Sequence, residues 1–283
     1  GVGVYGNSNG FNHGYPISRH SISCSVIAKE KDDMQRDYWY STARHSEDLE
    51  TAVAVGERAA RRALDRLGAR KLQTQQAPVI FKAELAAGLL RSFVSAIRGS
   101  ALYRQATFLL DALDTQVFPE WVHIEENPHL PRGLASAPFD SEGVATRRRD
   151  LITDGILKSY VLGSYSARKL GLQTTGNAGG VRNLSIGMGD MDLQQLMREM
   201  GTGLVVTELM GQGVNTITGD YSRGAAGYWV ENGEISFPVE EITVAANLRD
   251  MFRNLVAVGN DDDYSSSVRT GSWLIESMMI AGE

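Results

Sequence analysis

The chain has 283 residues, 42% hydrophobic and 22% charged, the balance of an ordinary soluble globular protein. A net charge of -6 argues against a nucleic-acid binder, which would present a basic face, and no apolar run reaches the roughly 20 residues that span a bilayer. The single cysteine, Cys24, excludes an internal disulfide and fits a reducing compartment.

Position 1 is Gly and no signal peptide follows, so the chain reads as a fragment or a processed product. Thirty glycines against seven prolines, with many short alternating segments, predict an α+β fold. Its sheet is expected to be predominantly antiparallel, with a few packed amphipathic helices, in one large domain over residues 1–283. Val2 to Tyr5 reads as a strand entering the hairpin turn Asn7–Gly10. Ile22, Cys24, Val26 and Ala28 alternate with polar neighbours as in a half-buried strand, with Cys24 a small buried hydrophobe. Lys29 to Asp37 reads as a charged loop before a strand at Tyr38–Tyr40. The spacing predicts a helix over 46–67, capped by Ser46, with Leu49, Val53, Gly56, Ala60, Leu64 and Leu67 buried. Arg58, Arg61, Arg62 and Arg66 then form a solvated face. Pro78 to Phe81 is a short strand. From Lys82 the period becomes helical: Ala86, Leu89, Leu90, Phe93, Val94, Ile97 and Ala101 make one apolar stripe, with Arg91, Ser95 and Arg98 opposite.

Residues 111–143 are irregular, with Pro119, Pro128, Pro131 and Pro138, and an edge strand is expected at 121–126. His123, Glu125 and His129 are metal-ligand types, but zinc ligands usually sit at tighter spacings, so a binding or interface segment is the expectation. A hairpin over 146–162 turns at Asp154-Gly155, and its Arg147-Arg148-Arg149 run reads as a solvated strand end. A short helix over 164–170 stops at Gly171. The flexible turn 176–180 lacks any nucleotide-binding glycine pattern. A helix over 190–200 turns Leu193, Leu196, Met197 and Met200 inward. Strands follow at 204–209, 214–218 and 227–230, an extended run at 234–246, and a helix at 248–255. Asp261-Asp262-Asp263 lacks the glycine and distal glutamate of a calcium loop and reads as a solvated acidic turn. The chain closes in a strand around Trp273-Leu274-Ile275.

In this order NSNG, VIFKAELAAGLLRSFVSAIRG, LITDGILKSYVLGSYSARKLG with TTGNA, GYWVENGEISFPVEEIT and AVGND resemble the TldD/TldE (PmbA) metalloprotease family, on its TldE (PmbA) side. The resemblance covers nearly the whole chain and corresponds to the family's larger C-terminal portion, without the further N-terminal domain. It implies a cytoplasmic pair of related subunits. The TldD-like one holds zinc through a His-Glu-x-x-x-His motif and a late cysteine. Mounted on LLRSFVSA, that motif puts Arg91 and Ser92 where His and Glu belong, and Ala96 where the second His belongs. The cysteine position falls near Arg269–Thr270, and no cysteine follows Cys24.

Hydrolytic zinc takes about three protein ligands, an open water position and a general base within reach of that water. Arg91 is a permanent cation, Ser92 cannot replace the glutamate, and Ala96 offers no donor atom. The expectation is a chain with no catalytic residue and no metal or cofactor of its own, the zinc lying in a TldD-like partner subunit. The resemblance implies further partners in unfolded or extended peptides, which such pairs process or degrade, and neither nucleic acid nor membrane. A peptide adding a strand to a sheet edge is expected at the glycine-rich stretch 211–224, through Gly213, Asn215, Asp220, Tyr221 and Arg223. The alternative is a non-proteolytic regulatory binding module of the DNA gyrase modulator type. An independent hydrolase built on Cys24 and His20 carries less weight, because the two lie about 13 Å apart at ~3.3 Å per strand residue.

Overall fold

In the computed structural model, which describes residues 1–282, the Asn7–Gly10 turn joins strands β1 (Val2–Gly6) and β2 (Asn12–Pro16) in an antiparallel hairpin. Strands β3 (His20–Glu30) and β4 (Asp33–Ala43) form a second, longer one. Burial alternates along β3, with Ile22, Cys24 and Val26 on its half-buried side. The expected charged loop at 29–37 is not a loop: the ladder runs to Glu30↔Asp33, and Lys31, at φ 54, helps close a tight turn. Lys29, Glu30 and Arg36 face solvent there, as a two-stranded ribbon with one wet face tolerates, while Asp37 turns inward and is buried.

Helix α1 (Ala52–Leu64) packs on this ribbon, later and in a different phase than its sequence suggests. Ser46 begins only a single 3-10 turn, and Thr51 is the true N-cap, its Oγ1 accepting the Ala54 amide at 3.2 Å. Val55, Ala59 and Ala63 are buried, while Val53 and Leu64 are 69% and 58% exposed. Small residues let the helix sit close to the strands and draw Arg62 and Arg66 into the interior, so the expected all-solvated arginine face holds only for Arg58 and Arg61. Thr51→Ala should lower stability by about 1 kcal/mol, read from the shift in the denaturant midpoint.

Strand β5 (Gln75–Phe81) leads into helix α2 (Ala83–Ala96), whose predicted stripe is realised: Ala86, Leu89, Leu90, Phe93 and Val94 are all buried. Ile97 ends the helix, and Ala101 falls in a separate turn, α3 (Gly99–Leu102). The stripe meets an aromatic cluster: Phe93 packs edge-on against Phe118 and Phe252, and Trp273 edge-on against the same two rings. Burying each such side chain is worth roughly 1.5–3 kcal/mol, so α2 is the centre of the main core.

Around it, β5 pairs in parallel with β10 (Gly203–Met210) and antiparallel with β15 (Trp273–Ala281). Strands β11 (Asp220–Glu231) and β12 (Glu234–Asn247) continue from β10, and β12 pairs back onto β15. Five strands thus close into a ring, with β13 (Leu255–Val258) attached to β15. The expected strand at 214–218 is instead a loop with a single bridge from Val214 to Tyr221, and the strand expected at 227–230 begins at Asp220. Helix α5 (Leu193–Met200) covers Ile80, Val205 and Leu274, on the reverse of β5 and its neighbours. Helix α6 (Leu248–Arg253) seats Phe252 in the main core.

A smaller sheet is ordered β14 (Val268–Arg269), β9 (Leu184–Ile186), β6 (Ile124–Glu126), β7 (Arg149–Thr153), β8 (Ile156–Leu157). β6, expected at an edge, is paired on both sides. The predicted β7–β8 turn forms at Asp154-Gly155; Gly155 has φ +74, and a Cβ there would stand 2.3 Å from the Phe118 carbonyl oxygen. Helix α4 (Ser164–Leu170) ends, as predicted, at a left-handed Gly171. The turn at 176–180 is anchored rather than loose: buried Asn177 donates to both oxygens of Glu126 at 2.8 and 3.1 Å. Among the named strands most pairings are antiparallel, as expected of the fold class, with β5–β10 and β9–β14 parallel.

Candidate functional site

The motif positions all lie along α2, but on different faces of it. Arg91 is exposed and donates from Nη2 to Ser266 Oγ at 3.2 Å. Ser92 Oγ donates to the Gly88 carbonyl at 3.1 Å, inside the helix's own turn. Ala96 is 0% exposed in the main core. At about 100° per residue, positions 91 and 96 stand about 140° apart around the axis. Arg91 and Ala96 therefore do not face a common point.

The stretch expected to hold a late cysteine, Arg269–Thr270, offers a cation and a hydroxyl. Arg269 pairs with Asp262, and its guanidinium lies 4.4 Å from the Tyr264 ring centre. Thr270 is buried and accepts the Trp273 indole N–H at 2.7 Å. The acidic turn is not solvated. Asp261 accepts the Ser272 amide at 2.7 Å and the Ser272 hydroxyl at 2.6 Å, and Ser272 Oγ in turn accepts the first α2 amide, Ala83, at 3.1 Å. Asp263 accepts the Tyr40 hydroxyl at 3.3 Å and the Ser265 amide at 2.9 Å. Burial pushes the Asp263 carboxyl up, and burial together with Asp263 pushes Tyr40 up to about 12. Asp263 thus ties the β3–β4 ribbon, and Asp261 through Ser272 the start of α2, to the last third of the chain, while Asp262 holds Arg269 within it.

Between those parts lies a cleft of about 1030 Å³, walled by α1 and β4 on one side and by Lys82, Glu84 and the aspartate turn on the other. Trp39 lines it, with the Arg58 guanidinium 4.2 Å from its ring centre and its indole N–H donating to Glu50 at 2.9 Å. Beneath sits a buried ion network. Arg62 donates to Asp37 at 3.1 Å and to Glu84 at 2.7 Å, and Arg66 pairs with Asp37 and Glu208. Burial works to raise the Glu84 carboxyl, but Lys82 and Arg62 outweigh it and hold it below its ordinary range. The cleft joins a second hollow of about 490 Å³ through Arg62, Asp65, Lys82 and Leu193, where Met197, Tyr228 and Phe237 add apolar wall. A polar trough beside an apolar hollow can engage both the amides and the side chains of an extended chain.

The glycine-rich stretch at 211–224 is not an open sheet edge. β11 is paired with β10 at Gly224 and with β12 from Asp220 onward. Gly213 is pinned to Ser222, whose carbonyl oxygen a Cβ on Gly213 would meet at 1.7 Å. Tyr221 is 3% exposed, and burial pushes its hydroxyl up to about 12, against the pull of Arg223. Asn215 and Asp220 remain on the surface, Asn215 bonding the Ile217 amide and Asp220 the Thr218 hydroxyl. The sequence singled out this stretch for its glycines, which serve tight turns. It missed the cleft, whose parts are more than 200 residues apart.

His123 and Glu125 lie side by side on the outer face of the small sheet, joined there by Asp150. His129 is elsewhere, with Nε2 3.1 Å from Thr146 Oγ1.

Comparison with known families identifies the class. Residues 1–67 match the central domain and residues 74–282 the C-terminal domain of the PmbA/TldA metallopeptidases, and the chain belongs to this family. It is 59% identical over all 283 residues to the metalloprotease PmbA of Escherichia coli O157:H7, and 50% identical to the PmbA homologue of Haemophilus influenzae. It spans 63% of the length of each. A crystal structure from Bacteroides thetaiotaomicron, provisionally described as a modulator of DNA gyrase, superposes with a TM-score of 0.92 at 32% identity. That match takes in 98% of this chain and 63% of the other. TldE from Thermococcus kodakarensis has the same fold, with a TM-score of 0.84 at 22% identity over 97% of this chain and 65% of that one. No helix among the described residues is long and apolar enough to cross a membrane.

Proposed function

We propose that this chain is the non-catalytic subunit of a cytoplasmic, heteromeric peptidase. Its TldD-like partner holds the zinc, and the pair processes peptide precursors and degrades unfolded peptides. The observation that carries the reading is the content of α2: an exposed guanidinium, a hydroxyl spent on its own helix and a fully buried methyl, where a zinc peptidase needs two imidazoles and a carboxylate. Near the stretch expected to supply the late ligand, Arg269 is a second permanent cation, which disfavours a metal ion there, and no cysteine follows Cys24. The polar cleft and its apolar annex, rather than the 211–224 stretch, are the features suited to guide an extended peptide toward the partner.

The test is reconstitution. Casein or a leader peptide is incubated with this chain, with a TldD-like subunit, and with both, in the presence of zinc. Cleavage is expected only when the TldD-like subunit is present, and strongly only with the two together, which should co-elute as a stable complex. Cleavage by this chain alone would overturn the reading.

A further inference from the structure

The outer face of the small sheet carries a cluster of metal-binding side chains that the reading of α2 leaves unused. Along β6 and the two residues leading into it, Val122, Ile124 and Glu126 are buried, while His123 and Glu125 alternate with them and are partly exposed. On the neighbouring strand Asp150 stands directly across from Glu125. His123 Nε2 lies 3.1 Å from an oxygen of Asp150. One nitrogen or oxygen from each of the three residues falls within 4.8 Å of the others.

Two carboxylates directly opposed across a strand pair repel each other and need an opposing charge. Arg148 supplies part of it: its Nε and Nη2 both donate to one oxygen of Glu125, Oε2, at 2.9 and 2.5 Å. Asp150 is met by the imidazole and, more weakly, by the same Arg148 charge, so one guanidinium answers two carboxylates. On the far side of β6 the register sets Ser185 beside Glu125. Gly187, whose amide donates to the His123 carbonyl at 2.8 Å, brings no side chain to the imidazole. Glu125 and Asp150 are thus held on paired strands, with His123 fixed just before β6 by the Gly187 amide; the cluster carries two carboxylates against one guanidinium and is open to solvent on one side.

We propose that His123, Glu125 and Asp150 form a binding site for a divalent transition metal, zinc being the best fit to one imidazole and two carboxylates. Ligands about 2.1 Å from a tetrahedral ion lie about 3.4 Å from one another, so the three side chains need only small rotations to converge. Glu125 turns Oε1 to the ion while Arg148 keeps Oε2, acting as the outer partner that orients the ligand. Three protein ligands leave a coordination position for water or for a group from another molecule. The site is separate from α2 and independent of the reading given to that helix.

Zinc titration of the untagged chain by calorimetry, with cobalt absorption spectra as a second readout, tests the assignment. One equivalent is expected to bind the natural chain. His123→Ala and Asp150→Asn should each weaken binding at least about tenfold, while both variants, changed only at surface positions, melt like the natural protein without metal. No saturable binding, or an affinity unchanged by either substitution, would mean a surface charge ladder only and would overturn the proposal.

Discussion

Arg62→Ala is expected to destabilise the protein by about 3–5 kcal/mol, the cost of leaving buried charges unpaired. The Arg62 side chain is 16% exposed, Asp37 6% and Glu84 17%, and the guanidinium is the piece that joins them. Without it, Glu84 keeps Lys82 at 3.9 Å, and Asp37 keeps Arg66 at 3.6 Å and the Tyr38 amide at 2.7 Å. Both carboxylates stay in a poorly hydrated wall of the cleft. The pH dependence follows from the direction of the Glu84 shift. Its folded-state value is depressed, so its contribution is present above the unfolded carboxyl value of about 4.3 and is lost as the pH falls through the lower folded value. The gap between Arg62→Ala and the natural protein should therefore be full at pH 7 and should narrow below about pH 4, where the natural protein loses the same pairing. Denaturant midpoints at the two pH values measure this. Arg58→Ala is the contrast: with a side chain 55% exposed, 3.6 Å from Glu50 and stacked over Trp39, its removal should cost no more than about 1 kcal/mol. Equal losses from the two substitutions would refute the idea of a buried network.

What the sequence disclosed and what it hid divide along a physical line. The α2 stripe was legible because a helix buried on one side needs apolar residues at three- and four-residue steps, and nothing in 83–97 competes with that pattern. The turns at Asn7–Gly10 and Asp154-Gly155 were legible because left-handed backbone selects those residues. The phase of α1 was misread because its buried side includes Arg62 and Arg66. Their partners, Asp37, Glu84 and Glu208, lie on three other elements, and no local pattern reveals a charge that is neutralised at a distance. The aspartate turn failed in the same way, its protection coming from Tyr40, Ser272 and Arg269. The free edge inferred at 211–224 disappeared because β11 lies between β10 and β12, and which strands flank a segment is not written in its own residues. Of the metal-ligand residues, two of three were brought together, and the third partner came from a strand the spacing could not indicate.

Installing the zinc motif in the register set by the sequence, as Arg91→His, Ser92→Glu and Ala96→His together, should create no metal site on α2 and should lower stability by about 2–6 kcal/mol. Almost all of the loss should come from Ala96→His. That position is 0% exposed, and the Ala96 carbonyl already accepts the Thr107 hydroxyl at 2.7 Å. An imidazole there overfills the packed core, at about 1–3 kcal/mol, and buries a polar ring without a partner, at about 1–3 kcal/mol more. The two new imidazoles would still point about 140° apart on a straight helix. Arg91→His with Ser95→His is the informative control. Four residues apart, these positions share the outer face, both lie outside the core, and an imidazole pair at that spacing can hold zinc. This pair should bind zinc weakly and leave the melting temperature nearly unchanged. Both measurements belong in a His123→Ala background, so that the cluster on the small sheet does not contribute. A triple variant that binds one zinc ion and melts like its parent would show that α2 can rotate or unwind to present position 96 outward. The absence of catalysis would then rest on the identity of three side chains alone, and not also on the way this helix is packed.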